Sequence, residues 1–177
     1  MNNQKKLMLL INIIGGIAVL GSYAFGILTY PDAGQILWGG VPQSIRPFYT
    51  ACMFIAATGY FLFTYFIFFR LNPQETHVTD RLGFELFNTL YAIILFPSAL
   101  WMPLTFLAVE QSNTVLLWVV RLLLVVVGVA SIGLFIALMK VMPRHPLWAH
   151  RIALVGVVGF CVQTAILDAI ICGLYFG

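Results

Sequence analysis

Residues 115–139 read VLLWVVRLLLVVVGVASIGLFIALM, an apolar run interrupted by a single charge, Arg121. As an α-helix this run is roughly 37 Å long, enough to cross the about 30 Å hydrocarbon core of a bilayer. A helix apolar on every face is buried either in a large core or in lipid, and a chain of 177 residues has no such core to offer. Four more stretches of the same character lie on either side, at 7–29, 47–69, 82–107 and 148–176. The expected fold is therefore an all-α integral membrane protein. It is a single transmembrane domain over 1–177, a polytopic bundle of about five helices.

Composition supports this reading. The chain is 62% hydrophobic and 8% charged, with mean hydropathy +1.00, against roughly 45–50% and about 25% in a soluble domain. There is too little polar surface to coat a globule. The net charge of +3 is spread over loops with no basic run longer than two residues, which speaks against nucleic acid as a partner.

Breakers place the connections. Pro31, Gly34, Gly39, Gly40, Pro42 and Pro47 make 30–46 the longest loop. Asn72-Pro73 opens the second, Gln111-Ser112-Asn113 makes a tight third turn, and Pro143-Arg144-His145-Pro146 closes the fourth.

Charge sets a direction. In a five-span reading Lys5, Lys6, Arg70, Arg81, Lys140, Arg144 and Arg151 share one side, and only Arg46 falls on the other. Positive residues in short loops are retained in the cytoplasm, so the expected orientation is N-terminus inside and C-terminus outside, as in a bacterial inner (plasma) membrane. A miscount by one span would destroy this segregation. Lys5-Lys6, an apolar run and Ser22-Tyr23-Ala24 also resemble a cleavable signal, but the run continues through Ile27-Leu28 and reads as an uncleaved anchor.

Polar residues inside spans mark the levels of interest. Arg121 lies about 9 Å and Asp168 about 12 Å from the outer side by helical rise. A charge in mid-bilayer costs about 2.5–3.5 kcal/mol and needs a partner, so Arg121 and Asp168 are expected to form an ion pair across the last two spans, with Gln163 or Thr164 nearby. A register bolt and a ligand or proton site are both open readings of that pair. At the inner level Asn12, Tyr65, Glu85 and Asn88 share a depth, and His150 or Arg151 is within snorkelling reach of Glu85. Pro97 and Pro103 interrupt span three, freeing the carbonyls of Ile93 and Ala99, and make that helix a candidate pocket wall with Tyr91 and Trp101 facing in. Small residues recur every four positions at Ala18-Ser22-Gly26, Gly133-Ala137 and Cys161-Ala165-Ala169-Gly173, where helices are expected to approach closely.

Catalytic signatures are absent. The three histidines, His77, His145 and His150, sit at the interface without metal-pair spacing. There is no phosphate loop and no nucleophile elbow. Cys52, Cys161 and Cys172 lie in apolar runs and read as inert. Nothing names a cofactor, a catalytic residue or a metal.

The stretch Trp38-Gly39-Gly40-Val41-Pro42 through Arg46-Pro47-Phe48-Tyr49, before an aromatic-rich second span, resembles the translocator or tryptophan-rich sensory proteins. That resemblance implies a five-helix bundle binding tetrapyrroles or sterols. The chain departs from the family in lacking dense tryptophans in span two and Leu-Asn pairs in later spans. The leading expectation is a non-enzymatic protein in the lipid bilayer that binds a small hydrophobic ligand or assembles with another membrane protein. A translocator-like tetrapyrrole or lipid binder, a small transporter acting as a homo-oligomer, and a membrane enzyme with an unrecognised site are the alternatives.

Overall fold

In a computed structural model, which describes residues 2–175, five helical segments are each long and apolar enough to cross a membrane: Asn3–Thr29, Gln43–Arg70, Glu85–Glu110, Thr114–Lys140 and Leu147–Tyr175. The end of the last expected span, Phe176, lies outside the described residues.

The elements in chain order are α1 (Asn3–Thr29), a short α2 (Ala33–Trp38), a 3-10 turn (Gln43–Ile45) and α3 (Arg46–Tyr65), which continues as a π turn (Phe66–Arg70). Strands β1 (His77–Thr79) and β2 (Leu82–Gly83) follow, then α4 (Glu85–Glu110), α5 (Thr114–Lys140) and α6 (Leu147–Cys161). The last helix continues as a π-helix (Val162–Cys172) and ends in α7 (Gly173–Tyr175). Local chemistry explains the boundaries. The Asn2 side chain caps α1 through the Gln4 amide at 3.0 Å. Asn113 caps α5 through the amides of Val115 and Leu116, as a turn residue before an apolar run should. Gly39 ends α2 at φ 50°, a conformation that glycine adopts without a Cβ penalty.

Two boundaries differ from expectation. Span three begins at Glu85, because Leu82–Gly83 form a strand antiparallel to β1, and the Gly83 amide donates to Glu85 Oε1 at 2.7 Å. The expected first loop contains a helix, α2, whose apolar side enters a cluster with Met102 and Phe106 of α4. At the basic end His77 and Met142 exchange backbone hydrogen bonds of 3.0 and 2.9 Å, so the hairpin is pinned to the chain between α5 and α6.

The helices form an open ring. α1 packs along α4, α4 along α5, α5 along α6 and its π continuation, and α6 along α3. α1 and α3 make no extensive contact and flank a seam. Large apolar side chains such as Ile17, Leu28, Phe54, Phe61, Phe96 and Val155 face outward, the surface expected of a bundle whose solvent is hydrocarbon.

Close approaches set this ring. A Cβ added to Gly59 of α3 would overlap the Gly156 carbonyl of α6, and one added to Gly156 would lie 2.8 Å from the Gly59 carbonyl. On α1 the small residues that matter are Gly15, against Leu95, and Gly26, against Met102 and Phe106, with Ser22 buried between them. Ala18, the first of the expected stripe, faces outward. Ala165 and Ala169 do meet a neighbour, since a Cβ on Gly128 would come within 3.0 Å of the Ala165 Cα and 3.2 Å of the Ala169 Cβ.

Candidate functional site

The polar level expected to lie on the inner side, towards the basic end of the bundle, is built by α1, α3 and α4. Asn12 donates to the Met8 carbonyl at 2.8 Å and accepts from the Tyr60 hydroxyl at 2.6 Å. That bond spans the seam. Beside it the hydroxyls of Thr64 and Tyr91 lie 2.7 Å apart, and the Tyr60 and Tyr91 rings are 5.7 Å apart. Tyr91 and Phe63 are almost completely buried, so the floor of the seam is rigid and aromatic. Asn88 donates to Gln4 Oε1 at 2.5 Å and to the Gln4 carbonyl at 3.3 Å, while its own buried Oδ1 has no partner among the described residues.

The other residues expected at this level go elsewhere. Tyr65 is exposed and turns to Arg70, whose guanidinium donates to its hydroxyl and stacks over its ring and that of Trp148. Glu85 is exposed and accepts from Gly83, whereas His150 is buried and donates from Nε2 to the Leu138 carbonyl at 2.8 Å. The hairpin, not the histidine, takes the carboxylate.

The polar level expected to lie on the outer side is organised by the π-helix. Residues five apart lie roughly 140° apart around an α-helix, but the i→i+5 pattern of a π-helix brings them together. Gln163 Nε2 accordingly donates to Asp168 Oδ1 at 2.7 Å. Gln163 is buried, and its Oε1 has no partner among the described residues. The Tyr49 hydroxyl of α3 donates to the Leu167 carbonyl within the same segment. Thr164 and Ser131 hydroxyls meet at 2.8 Å between the π-helix and α5, and Cys161 Sγ donates to the Ser131 carbonyl at 3.2 Å. Arg121 lies on α5 with its guanidinium 4.6 Å from the Trp118 ring centre. Trp101 is half-buried, edge-on to Tyr23 with ring centres 6.2 Å apart. α4 runs helically through both prolines, and Ser98 and Thr105 donate to the Ile94 and Trp101 carbonyls at 2.7 Å each.

The stretch from Trp38 to Tyr49 folds over this outer end. Arg46 stands 5.5 Å from the Trp38 ring centre and donates to the Val41 carbonyl, Trp38 packs edge-on against Tyr49, and the Gly40 amide donates to the Tyr175 carbonyl at 3.2 Å. The three cysteines are free thiols. Among the described residues no group of three or more His, Cys, Asp or Glu is placed to hold a metal ion.

One concave feature adjoins a polar network. It is a groove of about 160 Å³ in the seam, lined by Leu9 and Asn12 of α1, by Thr64 of α3, and by Phe68 and Phe69 of the π turn that continues α3. Leu9 and Phe69 are 39% and 66% exposed, so the groove opens sideways along the bundle's apolar exterior. Sequence reasoning named Asn12 but missed Tyr60 and Thr64. Their i, i+4 spacing, continued to Phe68, was the available signal for a shared face.

No protein-family model matches the chain, and no curated protein or solved structure does either.

Proposed function

We propose that this chain is a multi-pass protein of a bacterial-type plasma membrane, N-terminus cytoplasmic, that binds a small hydrophobic ligand in the seam between α1 and α3. The observation that carries the reading is a lateral apolar groove between two helices that do not pack along each other, beside the one hydrogen bond, Asn12–Tyr60, that joins them there. A groove of about 160 Å³ is close to the roughly 150 Å³ cavity that accommodates benzene and below the about 300 Å³ at which drug-sized pockets begin. Its size favours a chain-like ligand over a tetrapyrrole or a sterol enclosed whole. No group in the seam is arranged as a nucleophile with its base, which favours binding over chemistry.

The outer level is read as structural. Asp168 and Arg121 sit on elements that pack together, and their pairing as a register bolt is part of this proposal.

Purification in mild detergent, followed by mass spectrometry of the extracted small molecules, tests the binding role. A single lipid-like species at near-equal ratio to protein, lost when Leu9→Trp fills the groove, is the expected result. A stoichiometric second polypeptide with no bound small molecule would replace this reading with an assembly role. Saturable quenching of tryptophan emission by a porphyrin would overturn the size argument.

A further inference from the structure

A cation stands beside one wall of the groove. Lys5, Leu9 and Asn12 follow i, i+4, i+7 spacing and therefore share one face of α1. Thr64 and Phe68 likewise stand one turn apart at the end of α3. The Lys5 ammonium lies 5.9 Å from the centre of the Phe68 ring, and Phe68 is a wall of the groove. The side chain of Lys5 is half-buried whereas that of Lys6 is exposed, so Lys5 packs beside a groove wall and Lys6 does not. The walls of the groove are apolar, and the polar groups nearest to it, in Asn12 and Thr64, are already spent on Tyr60 and Tyr91.

Lipid tails are as apolar as leucine, so an apolar groove gives a chain no hydrophobic gain over the surrounding bilayer. Selectivity must come from the polar ends. We infer that the groove holds a short segment of one acyl chain of an anionic phospholipid whose headgroup phosphate is held by Lys5, an inference that rests on the seam's being a ligand site. Charge complementarity selects this occupant. The mouth opens at the end of the bundle that collects Lys5, Lys6, Arg70, Arg81, Lys140, Arg144 and Arg151, where basic residues meet anionic headgroups. Arg70 contributes less than its position suggests, because its guanidinium is already engaged by Tyr65 and Trp148.

Native mass spectrometry of the full chain from micelles holding equal amounts of dioleoyl phosphatidylglycerol and dioleoyl phosphatidylcholine tests this. The wild type is expected to retain one lipid with a preference for the anionic head. Lys5→Gln should still retain a lipid but lose about fivefold in preference, the effect of about one surface charge. Lys5→Arg should keep the preference, as should Arg151→Gln, which removes a charge from the same end on α6. Soluble glycerol phosphate should not displace the lipid. Displacement by glycerol phosphate, an unchanged preference in Lys5→Gln, or an equal loss in Arg151→Gln overturns the inference while leaving the seam a ligand site. If the wild type retains no lipid at all, the ligand-site reading itself fails.

Discussion

The Tyr49 hydroxyl of α3 donates to the Leu167 carbonyl in the π-helical part of the last span. The contact ties helices that are distant in sequence, and it falls in the segment where Gln163 and Asp168 are brought face to face. π-helical turns concentrate where a helix is required to place side chains that an α-helix would separate. Tyr49→Phe keeps the ring against Trp38 and removes only the donor. Thermal unfolding in detergent should show a loss of about 0.5–1.5 kcal/mol. Amide exchange should quicken in Val162–Cys172 and not in α5.

The Gly59–Gly156 crossing should be the least tolerant point of the bundle. Gly59→Ala or Gly156→Ala places a methyl against backbone that cannot rotate away, and overpacking of this kind costs about 1–3 kcal/mol. Gly16→Ala and Gly21→Ala meet nothing within 4 Å and should stabilise by about 0.5–1 kcal/mol through helix propensity alone. Denaturation of the four variants side by side checks the contrast.

A double-mutant cycle with Asn12→Leu and Tyr60→Phe should yield a coupling near 0.6 kcal/mol and below about 1.7 kcal/mol, the range of interhelical hydrogen bonds in membranes. A coupling of zero would mean that the 2.6 Å bond does not hold the seam.

For the outer level the corresponding cycle is Arg121→Gln with Asp168→Asn. An ion pair predicts that the double variant is more stable than the sum of the singles by at least 1 kcal/mol, since each single leaves a charge in a poor solvent. Additivity would assign Asp168 to Gln163 alone. In that case Asp168→Asn should be nearly silent, because an asparagine oxygen can still accept from Gln163 Nε2.

Orientation is checked by labelling single cysteines in a background without the three native ones. Gln74→Cys, in the loop before β1, should react with an impermeant maleimide only after the membrane is opened. Ser112→Cys, in the turn between α4 and α5, should react in intact cells. The reverse pattern would invert the proposed topology.

Some of the site was legible in sequence. Asn12 and Asn88 stand out in the sequence because a polar group inside an apolar helix needs a hydrogen-bond partner, and in the structure each makes such a bond; Tyr91, expected only as a pocket wall, bonds Thr64. The partners were not legible. Asn12 was set level with Tyr65, yet it meets Tyr60, roughly 7 Å further along α3 by helical rise. Depth can be counted along a helix, whereas the direction in which a residue points depends on which helix stands beside it. Glu85 is expected from depth to be reached by His150 or Arg151, whereas its carboxylate accepts from Gly83 of the β1–β2 hairpin, which is invisible as periodicity over so few residues.

The sequence by itself determined that the chain has too little polar surface for water, that it contains five helices of spanning length, and that one end of the bundle collects seven of its nine basic residues. These follow from hydropathy and length, which act residue by residue. Only the tertiary structure decided the ring order, the seam between α1 and α3, and so the groove at Asn12 and Thr64. Each span is apolar nearly all round, and lipid competes equally with any neighbouring helix for an apolar face. Hydropathy therefore carries almost no information about which faces meet. That choice falls to a few backbone approaches, at Gly15, Gly26, Gly59, Gly128 and Gly156, whose partners become visible only when the helices stand side by side.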